Sequence, residues 1–272
     1  MKLPHFSNRS ELFEFFRENK AALYAEKAYQ PKFGDSLDVS LLLIDDKGDV
    51  TKAVANPKLL DLDSFKVSVA INTTNIRDSH GDVHLPGLWK KSLKETKNLY
   101  LLQEHMLSFK GIISDKVNAF TKIMSWKDLG FNYQGETEVL IFNAEIEKAR
   151  NEYMAEQYAK GYVKNHSVGM RYVKLFLALN SESKFDREEK AIWDKYIDQV
   201  VNREECEEEG YFWAVTEAKL IEGSAVPLGS NFATPPLSIE PSSGTQQLQS
   251  KSEPSTDTPS LIEKLGLITL SN

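Results

Sequence analysis

Apolar positions along this chain change their period several times, and each change marks a different kind of element. Leu12, Phe13, Phe16 and Leu23 recur at helical spacing after Ser10, which predicts an amphipathic helix with Ser10 as its N-cap. Pro31 forbids its continuation. From Val39 to Ile146 the runs VSLLLID, SFKVSVAIN, NLYLLQ, KGIIS, AFTKIMSW and TEVLIFNAEI are short, β-branched and bounded by turn residues, as strands are. Phe65, Val67 and Val69 share one face of SFKVSVAIN, and Lys66 and Ser68 the other.

Helical periodicity returns over residues 147–160, with Ala149, Tyr153, Met154 and Tyr158 on one side and Gly161 as a stop. HSVGMRYVKLFLAL then reads as a strand. Residues 186–201 predict a second helix with Ile192, Trp193, Tyr196, Ile197 and Val200 as its buried stripe. That helix lies between SESK and REECEEEG, so it reads as an insertion before the last core strand, YFWAVTEAKLIEGSAV, which ends at Pro227. Residues 238–259 are rich in Ser, Pro, Thr and Gln, the chemistry of a linker, and SLIEKLGLITL follows as a short apolar tail. The expected organisation is a helical arm (1–36), one main domain (37–237, with the insertion at 181–210) and the linker and tail (238–272). Its expected fold class is α+β, with closely spaced strands forming a barrel or strongly curved sheet.

Composition narrows the function classes. A hydrophobic fraction of 41% over 272 residues supplies one sizeable core. The net charge of −7, with both signs mixed along the chain, gives no basic footprint for nucleic acid or an anionic membrane. No apolar run is long enough to span a bilayer, and MKLPHFSNRSELFEFF lacks the unbroken apolar stretch of a signal peptide. Cys206 is the only cysteine, which excludes an intrachain disulfide, and its acidic neighbours make it a poor nucleophile. The expected compartment is therefore reducing and intracellular.

Ser167 stands where a helix, the Gly161 stop and the mouth of a strand meet, a setting that holds a side chain firmly at an accessible point. Gly169, two residues on, shares its strand face and is expected to leave room for a scissile peptide. The plain alternative is a strand-edge serine beside a packing glycine. A serine needs a base, and the histidines are His5, His80, His84, His105 and His166. His166 adjoins Ser167 on a strand and should face away from it. His105 ends NLYLLQEH, where a strand meets a polar segment and an imidazole can be presented at a cleft; alternatively it is a surface histidine. Glu222 ends the apolar AKLIEGSAV, where a carboxylate needs a partner unless its head reaches water.

The order of four segments resembles the prohead proteases of tailed phages. INTTNIRDSHGDVHLPGLW resembles that family's Asp, Gly-Asp and Pro-Gly segment, and LYLLQEHMLSFKGIIS its strand with the catalytic histidine. EKARNEYMAEQYAKGYVKNHSVGMRYV is similar to its helix, Gly turn and Ser-x-Gly strand, and AKLIEGSAVPLGSNFATP to its Leu-x-Glu-x-Ser-x-Val strand. The likeness spans about Phe65 to Pro235. It implies a curved β-barrel related to herpesvirus assemblin and a serine endopeptidase with Ser167 as nucleophile, His105 as base and Glu222 as the acidic third member. It further implies coat and scaffold proteins as substrates, self-association in the procapsid within the host cytoplasm, self-cleavage between Ser238 and Pro259, and no cofactor. The insertion and the Leu-Gly-Ser before Asn231 depart from the family pattern.

Two rival readings remain. Asp78, His80, Asp82 and His84 of DSHGDVH alternate and would share a face on an extended strand, as ligands of a divalent ion in a metal-dependent hydrolase. Gly81 and Pro86-Gly87 argue for a bent loop instead. The chain could also be a non-catalytic capsid-assembly or scaffold protein, its helical arm and tail serving as docking elements.

Overall fold

The computed structural model describes residues 4–29 and 55–242. The first helix, α1 (Arg9–Tyr29), begins earlier than its apolar spacing suggests. Asn8, not Ser10, caps it: the Asn8 Oδ1 accepts from the Glu11 N–H at 3.0 Å, and the Glu11 carboxylate accepts from the Ser7 N–H at 3.0 Å. The cap thus stands two residues upstream of the expected one, with Glu11 reaching back to the residue before it in a variant of the capping box. Leu12, Phe13, Phe16 and Leu23 are buried, so the apolar stripe packs as expected. VSLLLID and the tail lie outside the described residues.

The strands are β1 (Ser64–Thr73), β2 (Asp82–His84), β3 (Leu101–Gln103), β4 (Ile112–Ser114), β5 (Val117–Ser125), β6 (Glu136–Glu147), β7 (Asn165–Leu179), β8 (Tyr211–Val226) and β9 (Pro236–Pro241). Between them stand α2 (Ser92–Glu95), α3 (Glu152–Ala159), α4 (Arg187–Tyr196) and α5 (Arg203–Glu209). The chain is therefore α+β. Its strands form a four-stranded sheet, β5-β6-β1-β9, and a five-stranded sheet built around β8. Among the described residues these pairings do not close into a ring.

β8 organises the second sheet. β7 pairs antiparallel along its whole length, from Asn165 opposite Val226 to Leu179 opposite Tyr211. On the other edge, β2 runs parallel to its first half and β3 parallel to its second, with β4 beyond β3. The 181–210 insertion thus lies in the connection between two neighbouring antiparallel strands. Side chains alternate along β8. Tyr211, Trp213 and Val215 join the main core with α1, whereas Phe212 and Ala214 pack under α4 and α5 with Trp193 and Cys206. Farther on, a Cβ on Gly223 would lie 2.7 Å from the Phe142 ring and 2.8 Å from Ile71, so at this point the two sheets meet almost backbone to side chain. Glu222 and Ser224, its neighbours, must face the opposite way.

Several elements differ from the sequence expectation. α3 starts at Glu152 because the Asn151 side chain accepts from the Met154 N–H at 3.1 Å, while residues up to Glu147 stay in β6. Tyr153, expected on the buried side, is exposed. The helix expected over 186–201 is α4 followed by a short 3-10 turn. The acidic run before β8 is itself helical, as α5, and buries Cys206 completely. Burial pushes that thiol up to about 12. β9 crosses into the stretch whose composition reads as linker, pairing with β1 through Pro241.

Candidate active site

β3 ends at Gln103, and the chain then makes a tight turn closed by the Met106 N–H on the Gln103 carbonyl at 2.8 Å. Its two central residues, Glu104 and His105, have φ of 49° and 56°. Neither is glycine, so each costs on the order of 1–3 kcal/mol, and such conformations persist only where surrounding contacts enforce them. Two contacts with β8 do so. The Glu104 N–H donates to the Ala225 carbonyl at 2.9 Å, and the His105 N–H donates to the Ser224 Oγ at 3.1 Å.

The turn lays the His105 ring over β8. His105 Nδ1 lies 2.6 Å from the Glu222 Oε1. A carboxylate only accepts, so Nδ1 carries the proton and the lone pair is on Nε2, the tautomer required of a base. The other Glu222 oxygen accepts from the Ser224 Oγ at 2.6 Å. Glu222 and Ser224 are fully buried. Taking a carboxylate out of water costs several kcal/mol unless its lone pairs are engaged, and here both oxygens are.

Register brings in Ser167. It stands opposite Ser224 on β7, and Gly169 stands opposite Glu222. Directly opposed residues of an antiparallel pair project to the same face. Ser167, Gly169, Glu222, Ser224 and the His105 ring therefore share the face of the five-stranded sheet turned away from the four-stranded one. The three residues proposed from sequence, with Ser167 62 and Glu222 117 positions from His105 in the chain, are gathered on β7, on β8 and in the turn after β3. The carboxylate of Glu222 also fills the space beside Gly169, which the sequence reading had assigned to substrate.

His166 takes the inner face. Its Nδ1 donates to the Thr234 carbonyl at 3.0 Å and its Nε2 accepts from the Tyr158 hydroxyl at 2.9 Å. Burial pushes the ring down to about 4, so it is neutral at pH 7 and ties α3 to the segment before β9. His166 is a structural histidine beside the site.

DSHGDVH bends as Gly81 suggests, with φ of 72°, and β2 begins at Asp82. Asp78 Oδ1 accepts from the backbone N–H groups of His80 and Asp82, each at 2.9 Å. Asp82 accepts from Lys27 of α1 and, at 2.6 Å, from the Tyr172 hydroxyl. His84 is held by the Asn72 side chain at 2.7 Å and by Tyr172 at 3.3 Å, and burial lowers its pKa. Among the described residues no three His, Cys, Asp or Glu side chains are grouped to hold a metal ion. A groove of about 740 Å³ lies on the outer face of the four-stranded sheet, lined by Lys66, Ser68, Asn118 and Asn143, on the far side of the molecule from Ser167.

Ser224 is the serine of the Leu-x-Glu-x-Ser-x-Val likeness, which implies no role for it. Its signal is its place two residues after Glu222 in a strand, which puts both side chains on one face. No helix among the described residues is long and apolar enough to cross a membrane. The chain matches no protein-family model, no curated protein and no solved structure.

Proposed function

We propose that this chain is a serine endopeptidase of the kind that matures tailed-phage proheads, with a fold related to herpesvirus assemblin. Ser167 is the nucleophile, His105 its general base, and Glu222 the group that orients the imidazole. The observation that carries this reading is the buried Glu222 carboxylate at 2.6 Å from the His105 Nδ1, on the face of β8 opposite which Ser167 projects. A buried Glu–His pair is costly as mere packing, and a left-handed turn that presents the ring adds to that cost.

In the proposed reaction His105 Nε2 takes the Ser167 proton as Oγ bonds to the scissile carbonyl carbon. The tetrahedral adduct collapses when the imidazolium returns that proton to the departing amine, leaving an acyl-enzyme that water hydrolyses by the same route in reverse. Glu222 keeps Nδ1 protonated and stabilises the imidazolium between the two transfers. The proposed substrates are coat and scaffold proteins inside the assembling procapsid, where copies of the chain gather. Self-cleavage is proposed within residues 243–259, because the pairing of β9 with β1 shields the backbone up to Pro241.

The test is co-expression of the coat precursor with wild type or with Ser167→Ala, following both proteins by intact mass. The expected result is processing by wild type alone. Unchanged processing by Ser167→Ala sinks the peptidase reading and leaves the non-catalytic assembly role in its place.

A further inference from the structure

We propose that Ser224 is a positioning residue of this site, whose hydroxyl fixes both the carboxylate that orients His105 and the backbone that presents it. The catalytic consequence rests on the peptidase reading; the structural one does not. Ser224 Oγ has one proton, and it goes to the Glu222 Oε2 at 2.6 Å. A lone pair of the same oxygen accepts the His105 N–H at 3.1 Å. The ring then closes through the His105 Nδ1 and the Glu222 Oε1 at 2.6 Å. Backbone and side chain of His105 are thus bound to two residues of one strand, by a cycle of three hydrogen bonds.

That cycle explains how a turn with two successive left-handed, non-glycine residues is held in place. It also fixes the carboxylate in rotation. With only His105 as partner, Glu222 could swing about its terminal bond; with Oε2 anchored on Ser224, Oε1 stays aimed at Nδ1. Ser224 is fully buried, so no water can substitute without opening the site. Charge-assisted hydrogen bonds of this kind are about twice as strong as neutral ones, and their loss leaves the buried carboxylate short of a donor. The position directly opposite Ser167 means that any movement of Ser224 is felt across the strand pair by the nucleophile.

Two readouts test this. The first needs no substrate: the Nδ1 proton of a carboxylate-bound imidazole gives a downfield NMR signal, assigned here by its loss in Glu222→Ala. In Ser224→Ala this signal should broaden or vanish, whereas in Ser167→Ala it should persist. The second is kinetic, on a peptide spanning the mapped cut site. Ser224→Ala should lower kcat about tenfold at unchanged KM, the loss expected for one buried charge-assisted hydrogen bond. In a Glu222→Gln background the same substitution should have no further effect, since Ser224 acts through Glu222; a purely structural role would give additive losses. Should Ser224→Ala fail to fold, Ser224→Cys keeps the volume with a weaker donor and gives the same two readouts. A Ser224 variant with the wild-type proton signal and kcat, or with additive losses, overturns the proposal. An active Ser167→Ala protein overturns the peptidase reading instead and leaves the NMR result standing.

Discussion

The Glu222 carboxylate occupies the space that a side chain at Gly169 would need: a Cβ built on Gly169 lies 2.1 Å from Glu222 Oε1 and 2.8 Å from its carboxyl carbon. Glycine at this position is therefore a condition for the Glu222–His105 contact. The φ of Gly169 is not in the left-handed region, so the requirement is one of space and not of backbone conformation.

Gly169→Ala should accordingly leave the strand pairing intact and evict the carboxylate. The expected outcome is a folded protein with kcat lowered by about 10²–10⁴, the upper end being the loss seen when a triad imidazole loses its orienting acid. Circular dichroism and turnover of the cut-site peptide check it together. Activity within a factor of two of wild type would show that the carboxylate relocates without consequence.

Glu222→Gln keeps the shape of the side chain and changes only what it offers to Nδ1. An amide NH2 facing the ring would donate to the Nδ1 lone pair and drive the ring proton to Nε2, the wrong nitrogen for a base. We expect a fall in kcat of about 10²–10⁴ with KM little altered. A large rise in KM with kcat preserved would instead place Glu222 in substrate binding.

Elements with a clean period are legible in the sequence. β8 runs from Tyr211 to Val226, the segment YFWAVTEAKLIEGSAV, whose aromatic and β-branched start favours a strand and which Pro227 ends. α5 is not legible, because five of its seven residues, Glu204, Glu205, Glu207, Glu208 and Glu209, read as a solvated run although the cysteine among them turns inward. The linker expected from Ser238 takes in the last four residues of β9, because Ser238 and Pro241 read as linker chemistry, yet a proline at an edge position costs no ladder bond. At the site, alternation along β7 was enough to separate Ser167 from His166. The role of Ser224 was not legible, because it depends on a left-handed turn at Glu104–His105 that no glycine announces.

His166 should make the fold sensitive to acid. Its folded value near 4 lies below the ordinary 6.5, so between those limits the unfolded chain binds more protons than the folded one. Stability from this residue is complete above pH 6.5, falls as pH is lowered through the window and levels off below about 4, for a total of about 3 kcal/mol. His84, also lowered by burial, adds a loss of the same sign. Urea unfolding from pH 7 to pH 4 should therefore show a shallower decline for His166→Gln than for wild type. Parallel curves would mean that His166 is solvated in the folded protein.

The helical arm makes the last case, because its attachment is electrostatic as well as apolar. Arg17 pairs with the buried Asp186 at 3.0 Å and Lys20 with Glu189 at 2.5 Å, but both of these cations are partly exposed and reach solvent. Lys27 differs. Its side chain is only 12% exposed, and its ammonium meets an Asp82 carboxylate that is entirely buried. Burial by itself raises the Asp82 carboxyl; the Lys27 charge and the Tyr172 hydroxyl outweigh it and hold the group below the usual carboxylate range. Removing the cation strands that charge beneath α1. Lys27→Met should cost about 3–5 kcal/mol, the toll of an uncompensated buried ion, and Lys27→Met with Asp82→Asn should recover part of it because no charge is left to strand. Urea midpoints of the two variants decide the matter. A Lys27→Met protein as stable as wild type would mean that α1 is held by its apolar stripe alone.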